Sequence, residues 1–292
     1  MSDRLPAGAA SVRKTFDMYE QYWGLNSHPF RNALDPAFFF RADAHQTALL
    51  KLRYLIENRL GAGVLLGGSG SGKTLLLTML AHELSESLGP FVHVAFPQLS
   101  PAELLGYLAD ELASDESTGS SGDGGLDRTV RRIEQHLAQQ MKQGRHTTIV
   151  IDDAHLIDDP EVFQTLRLLL NFAERGEVAL SLILAGDWQL APRIERIGAL
   201  NERIAVRAVV RPLSQAETAD YVAHRLRVAG ARAPIFDAAA LQAVFEISGG
   251  VPRRINRLCD LALLVAFSDQ REQIAAKDVE DVEGELSIGS AA

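Results

Sequence analysis

The chemistry of this chain concentrates in two short strings. Gly67-Gly68-Ser69-Gly70-Ser71-Gly72-Lys73-Thr74 follows the apolar run Val64-Leu65-Leu66 and opens a helical pattern. The spacing G-x-x-x-x-G-K-[ST] between a strand and a helix is a phosphate cradle. Its glycines let backbone N–H groups turn inward around phosphate oxygens with no Cβ in the way. The helix N-terminus adds free N–H donors and a favourable dipole. Lys73 is expected to set its ammonium beside the β- and γ-phosphates, and Thr74 to offer its hydroxyl to Mg²⁺. About 75 residues further on, the buried-strand pattern Thr148-Ile149-Val150-Ile151 delivers Asp152 and Asp153. The carboxyl edge of an open α/β sheet is where ligands bind. Asp152 is expected to hold Mg²⁺, directly or through water, and Asp153 to orient or deprotonate an attacking water.

The surrounding elements must bring these strings together. Residues 43–60 read as a helix, 64–66 as a strand, 74–88 as a helix and 91–96 as a strand. Ser100 and Glu103 form a capping box that opens a helix over 101–112. Residues 113–125 are rich in Gly, Ser and Asp and read as a mobile loop. A helix over 126–143, a strand over 147–151, a helix over 161–175 and strands over 179–185 and 203–210 follow. Continuous apolar strands alternating with helices imply a parallel sheet covered on both faces, an αβα sandwich. After Pro212 the pattern becomes helical throughout, at 215–229, 237–247, 252–268 and 277–285, with Ser214 and Glu217 as a second capping box. The expected division is a tail at 1–18, a nucleotide-binding domain at 19–212 that includes an aromatic opening segment, a helical lid at 213–286 and a tail at 287–292.

Composition sets outer limits. The chain has 292 residues, 29 basic against 38 acidic side chains and a formal charge of −9, so bulk electrostatic attraction to DNA is not its driving force. Hydrophobic residues at 47% and charged residues at 23% exclude disordered, collagenous and coiled-coil classes. One cysteine, Cys259, allows no internal disulfide and reads as a buried, inert thiol, consistent with a reducing cytoplasm. The most apolar run, residues 258–267, contains Asp260 and is too short to span a bilayer.

Beyond the two strings, the chain resembles a family. A P-loop, an acidic strand end and a C-terminal helical module together look like an AAA+ ATPase. Tyr22-Trp23-Gly24-Leu25, His28-Pro29-Phe30, Leu166-Arg167-Leu168-Leu169-Leu170-Asn171-Phe172 and Gly249-Gly250-Val251-Pro252-Arg253-Arg254-Ile255-Asn256 resemble the ExeA-type ATPases (general secretion pathway protein A). The resemblance runs from about Tyr19 to about Glu285. It implies ATP rather than GTP, bound between an αβα domain and a helical lid, and assembly as a ring or filament with ATP at subunit boundaries. It further implies that Arg253 senses the γ-phosphate and that Arg203 is offered to a neighbour's ATP as an arginine finger, with Arg196 the runner-up. His28, Pro29 and Phe30 match the part of the family that lies near adenine.

Two departures bear on rate. The family pattern has Asp-Glu where this chain has Asp152-Asp153, and a shorter side chain brings its carboxylate about an ångström short of the water, a misplacement that costs on the order of a hundredfold. A polar sensor, usually glutamine, follows the fourth strand in the family; here the string is Ala185-Gly186-Asp187-Trp188. Asp187 either faces the γ-phosphate with unwanted charge, pairs with an arginine or points away. A slow Mg²⁺·ATP-dependent ATPase that assembles and then remodels or recruits a protein partner, at the cell envelope by the family resemblance, is the first reading. The alternative is a DNA-associated adaptor of the transposition-regulator type, with Arg128, Arg131 and Arg132 on one helix lining a ring around duplex DNA.

Overall fold

The computed structural model describes residues 19–84, 89–113, 125–174, 176 and 179–288. The expected N-terminal tail, the last four residues, nearly all of the 113–125 loop and the end of the 74–88 helix lie outside the described residues. The chain divides into two compact units, one of Asp43–Arg211 and one that joins the segment before Asp43 to the residues after Arg211.

The first unit is built on five parallel strands: β1 (Ala62–Gly67), β2 (Phe91–Val94), β3 (Thr147–Ile151), β4 (Leu180–Gly186) and β5 (Ile204–Val210), in the order β2-β3-β4-β1-β5. The three inner strands are buried at every residue, which is why they read as unbroken apolar runs. The edge strands β2 and β5 alternate between buried and partly open positions. The connections are α1 (Asp43–Glu57), α2 (Lys73–Glu83), α3 (Pro101–Ala113), α4 (Leu126–Lys142), α5 (Pro160–Glu174), α6 (Leu190–Glu195) and α7 (Gly198–Asn201). One sheet face, with Val64, Leu66, Ile149 and Leu184, packs on α3 to α5 through Leu104, Leu108, Ile133 and Leu166. Alternation sends Leu65, Val150 and Ile183 to the other face, and α1 packs on β1 and β5 with Leu52, Leu55 and Ile56 fully buried. Each such side chain contributes about 1.5–3 kcal/mol of burial. The α1 helix ends three residues before the sequence expectation, because Arg59 takes a left-handed φ of 54°.

The second unit contains α8 (Gln215–Val228), α9 (Ala238–Ser248), α10 (Pro252–Ser268) and α11 (Ala276–Ile288), the last running into the stretch expected as tail. Both capping boxes form: Ser214 with Glu217 at α8, and Ser100 with Glu103 at α3. Gly250 must be glycine, since its φ is 71° and a Cβ there would fall 2.0 Å from the Leu213 carbonyl oxygen.

One grouping differs from the sequence expectation. The aromatic opening segment clusters with the helices after Pro212, not with the αβα domain. Tyr19, Leu25 and Phe30 are buried in the helical core, with Trp23, Phe38 and Phe40 packed against it. The reason is a buried cation, Arg225 of α8, which is 3% exposed. It donates from Nε to the Pro29 carbonyl (2.6 Å) and from Nη2 to the Arg31 carbonyl (2.7 Å). Its guanidinium also lies 4.6 Å from the centre of the Phe38 ring. Carbonyls and an aromatic face replace the hydration that a buried guanidinium loses.

Candidate functional site

The phosphate cradle forms where β1 ends and α2 begins. Gly70 and Gly72 adopt φ of 75° and 95°, conformations that side chains resist. At Gly67 a Cβ would fall 2.8 Å from Ser71 Oγ and 2.9 Å from the Val210 carbonyl oxygen, so the loop starts only with glycine. Lys73 is buried and donates to the carbonyls of Gly67 (2.9 Å) and Gly68 (3.2 Å), which holds its ammonium over the loop. Ser71 Oγ is buried with no partner among the described residues, while Ser69 is exposed at the loop tip. Beneath the loop, His45 of α1 donates from Nε2 to the Ser71 carbonyl at 2.8 Å; that carbonyl can only accept, so Nε2 carries the proton.

Folding closes the 78-residue gap between the two strings. Thr74 donates its hydroxyl to Asp152 Oδ2 at 2.7 Å. Asp152 is 3% exposed and accepts the Asp153 N–H at 2.9 Å; His93 of the edge strand β2 lies 3.5 Å from its Oδ2. Burial pushes the Asp152 carboxyl up, yet His93, the Thr74 hydroxyl and the Asp153 N–H outweigh it, so the group is held below its ordinary value. A hydroxyl and an ionised carboxylate in contact form a hard-oxygen pair that fits Mg²⁺.

Asp153 follows in a left-handed conformation (φ 46°, ψ 35°), a strain on the order of 1 kcal/mol, and half of its side chain is open. It initiates a short 3₁₀ turn, Ala154–Leu156, that carries His155. The imidazole lies between two carboxylates, Nδ1 3.9 Å from Asp153 and Nε2 3.6 Å from Asp187. Asp187 is thus turned to His155, and its Oδ1 accepts the Gln189 N–H at 2.8 Å.

The arginines are placed elsewhere. Arg203 enters β5 at the opposite edge of the sheet and donates to the Arg167 carbonyl (3.1 Å) and Asn171 Oδ1 (2.7 Å). Arg196 is exposed between α6 and α7. Arg253 is exposed in the first turn of α10. A cation there opposes the helix dipole, so the helix gains nothing from it. Of the expected adenine-side residues, Phe30 is 2% exposed and packs edge-on against Phe236; this corrects its reading as a base contact, because the ring is part of the helical core. Pro29 is buried as well, and its carbonyl is taken by Arg225. His28 remains partly open, 3.5 Å from Glu20. On α4, Arg131 pairs with Asp127 and Arg132 with Asp110, while Arg128 is exposed.

Sequence reasoning missed His45 and His93. Neither belongs to a motif; only the packing of α1 under the loop and of β2 beside β3 brings them to the site.

The AAA domain family matches residues 57–194. General secretion pathway protein A of Aeromonas hydrophila is 32% identical over 265 residues, covering 90% of this chain and 47% of that protein. The chain therefore spans about half the length of this curated relative. Among solved structures, Cdc6p from Pyrobaculum aerophilum superposes with a TM-score of 0.68 at 20% identity, over 86% of this chain and 70% of that one. Drosophila ORC bound to DNA gives 0.67 at 17% identity, over 98% and 70%. The Thermotoga maritima RuvB Holliday junction branch migration motor gives 0.58 at 17%, over 85% and 70%. At these identities the structures speak for the fold alone. Among the described residues no helix is long and apolar enough to cross a membrane.

Proposed function

We propose that the chain, which matches the AAA domain family and is similar to general secretion pathway protein A, is an AAA+ ATPase that works as a slow, Mg²⁺·ATP-dependent assembly switch. In this reading residues 67–74 cradle the phosphates, with Lys73 exchanging its two loop carbonyls for phosphate oxygens. Thr74 and Asp152 hold Mg²⁺, which supplies charge neutralisation at the phosphates when bound. Asp153 orients the attacking water and accepts its proton. Its short side chain and strained backbone limit turnover to below about ten per second. Arg253 and His28 are the proposed nucleotide contacts of the helical unit.

One observation supports assembly through ATP: Arg203 and the cradle occupy opposite edges of the sheet. β1 and β5 run parallel, with Ala62 beside Ile204 and Gly67 beside Val210. Six residues of strand put on the order of 20 Å between the edges, beyond the reach of an arginine side chain. Arg203 is therefore proposed to serve the ATP of a second copy, and a protein partner, in cell-envelope assembly by the likeness to the curated relative, responds to the assembled form.

Light scattering with Mg²⁺·ATP, with and without duplex DNA, tests this, with Lys73→Ala as control. Defined higher-order species with ATP alone, absent in the control, are expected. Assembly that requires DNA would favour the transposition-type adaptor instead. A monomer under every condition would remove Arg203 from the site.

A further inference from the structure

The loop leaving β4 holds a group that the P-loop reading above does not use. In the sheet order β4 lies between β1 and β3, so the chain leaving it emerges between the cradle and the Asp152-Asp153 pair. That is where the outermost phosphate of a cradled nucleotide meets the acidic strand end. Asp187 is the first residue there, and its carboxylate is committed to the Gln189 N–H and to His155. Trp188 comes next. A Cβ built on Gly68 would lie 3.9 Å from its indole Nε1, so the ring edge borders the cradle. The side chain is 51% exposed, and its N–H has no acceptor among the described residues. Burial does not account for a tryptophan so placed.

We infer that the Trp188 indole N–H, not the Asp187 carboxylate, is the group after β4 that reads the terminal phosphate. The chemistry matches, since an indole N–H only donates and phosphate oxygens only accept. It is also uncharged, so it adds no repulsion beside the phosphate, whereas a carboxylate does. Asp187 and His155 then act as positioning residues that hold the turn and aim the indole. This rests on ATP binding at the P-loop.

The test is calorimetric binding of Mg²⁺·ATP and Mg²⁺·ADP to the wild type, Trp188→Phe and Trp188→His. Phenylalanine keeps an aromatic ring and removes the donor; histidine restores a ring N–H. The preference for ATP over ADP is expected to fall about tenfold in Trp188→Phe, with ADP affinity within twofold of the wild type, and to recover in part in Trp188→His. Fluorescence gives a second readout. The chain has two tryptophans, and the other, Trp23, donates its N–H to the Leu263 carbonyl within the helical unit. An emission change larger with ATP than with ADP, and lost in Trp188→Phe, is expected. If the wild type binds both nucleotides and their ratio is indifferent to Trp188→Phe, or both affinities fall together, this inference is overturned alone. Should the wild type bind neither nucleotide, the P-loop reading falls and takes this inference with it.

Discussion

The two edges of the parallel sheet carry different parts of the proposed chemistry. At the carboxyl edge, Lys73 is bonded to the glycine cradle and Thr74 to Asp152. At the amino edge, Arg203 borders a cavity of about 390 Å³ lined by Arg59, Leu60, Leu170 and Glu202, and is held by the carbonyl and amide oxygens of α5. The first edge carries the cradle, the acidic strand end and, one residue beyond β5, the exposed Arg211. The second has Arg203 and no phosphate cradle. In the proposed reading, this separation makes hydrolysis depend on a neighbour, and the assembled state is the active one.

The largest test of this division is Lys73→Ala. Loss of the ammonium at the cradle is expected to weaken nucleotide binding by at least about a hundredfold, measured by calorimetry; near-normal affinity would break the reading of the carboxyl edge. Arg203→Ala should be the opposite case, with ATP affinity within about threefold of the wild type and turnover down by about a thousandfold. Mixing it with Asp153→Asn gives the sharpest form of the comparison. Boundaries that pair an intact acid from one variant with an intact arginine from the other are expected to regain activity, and a mixture as inactive as its components would show that the arginine does not act across a boundary. Asp153→Glu, which lengthens the side chain by one methylene, is expected to raise the steady-state rate about tenfold.

The last test concerns pH, which the two edges report in different windows. His146 stands before β3, 1% exposed, with Nε2 2.9 Å from Ser181 Oγ. Burial, assisted by Arg59, lowers its pKa from 6.5 to about 4. The unfolded chain then binds the proton more readily, so stability falls as pH drops from about 6.5 towards 4, by about 2 kcal/mol at pH 5. Asp152, after the same strand, is held below its ordinary value, so its contribution is present above about pH 4 and lost only as pH falls further. In urea melts, His146→Gln is expected to flatten the upper window and leave the lower one; equal slopes in variant and wild type would count against the assignment.

Much of this was legible in residue order alone. The inner strands are apolar throughout because both of their faces are covered, and each was readable to within two residues. The capping boxes are local, with both partners three positions apart. The aromatic opening segment was harder. Its apolar residues announce that it packs, yet nothing local says on which unit, and the decision falls to Arg225, nearly two hundred positions away. Asp187 shows the same limit. Its place after β4 was readable, but whether its carboxylate faces phosphate depends on His155, and that histidine reaches it only because β3 and β4 are neighbours.

By itself, the sequence determined the phosphate cradle, the acidic strand end and the alternation of strands with helices. These follow from backbone freedom at glycine and from periodicities a few residues long. The tertiary structure alone decided the strand order, which sets the Thr74 hydroxyl 2.7 Å from Asp152 and leaves Arg203 at the far edge. Those distances come from packing between residues remote along the chain, where side-chain shape and burial, rather than local pattern, select the arrangement.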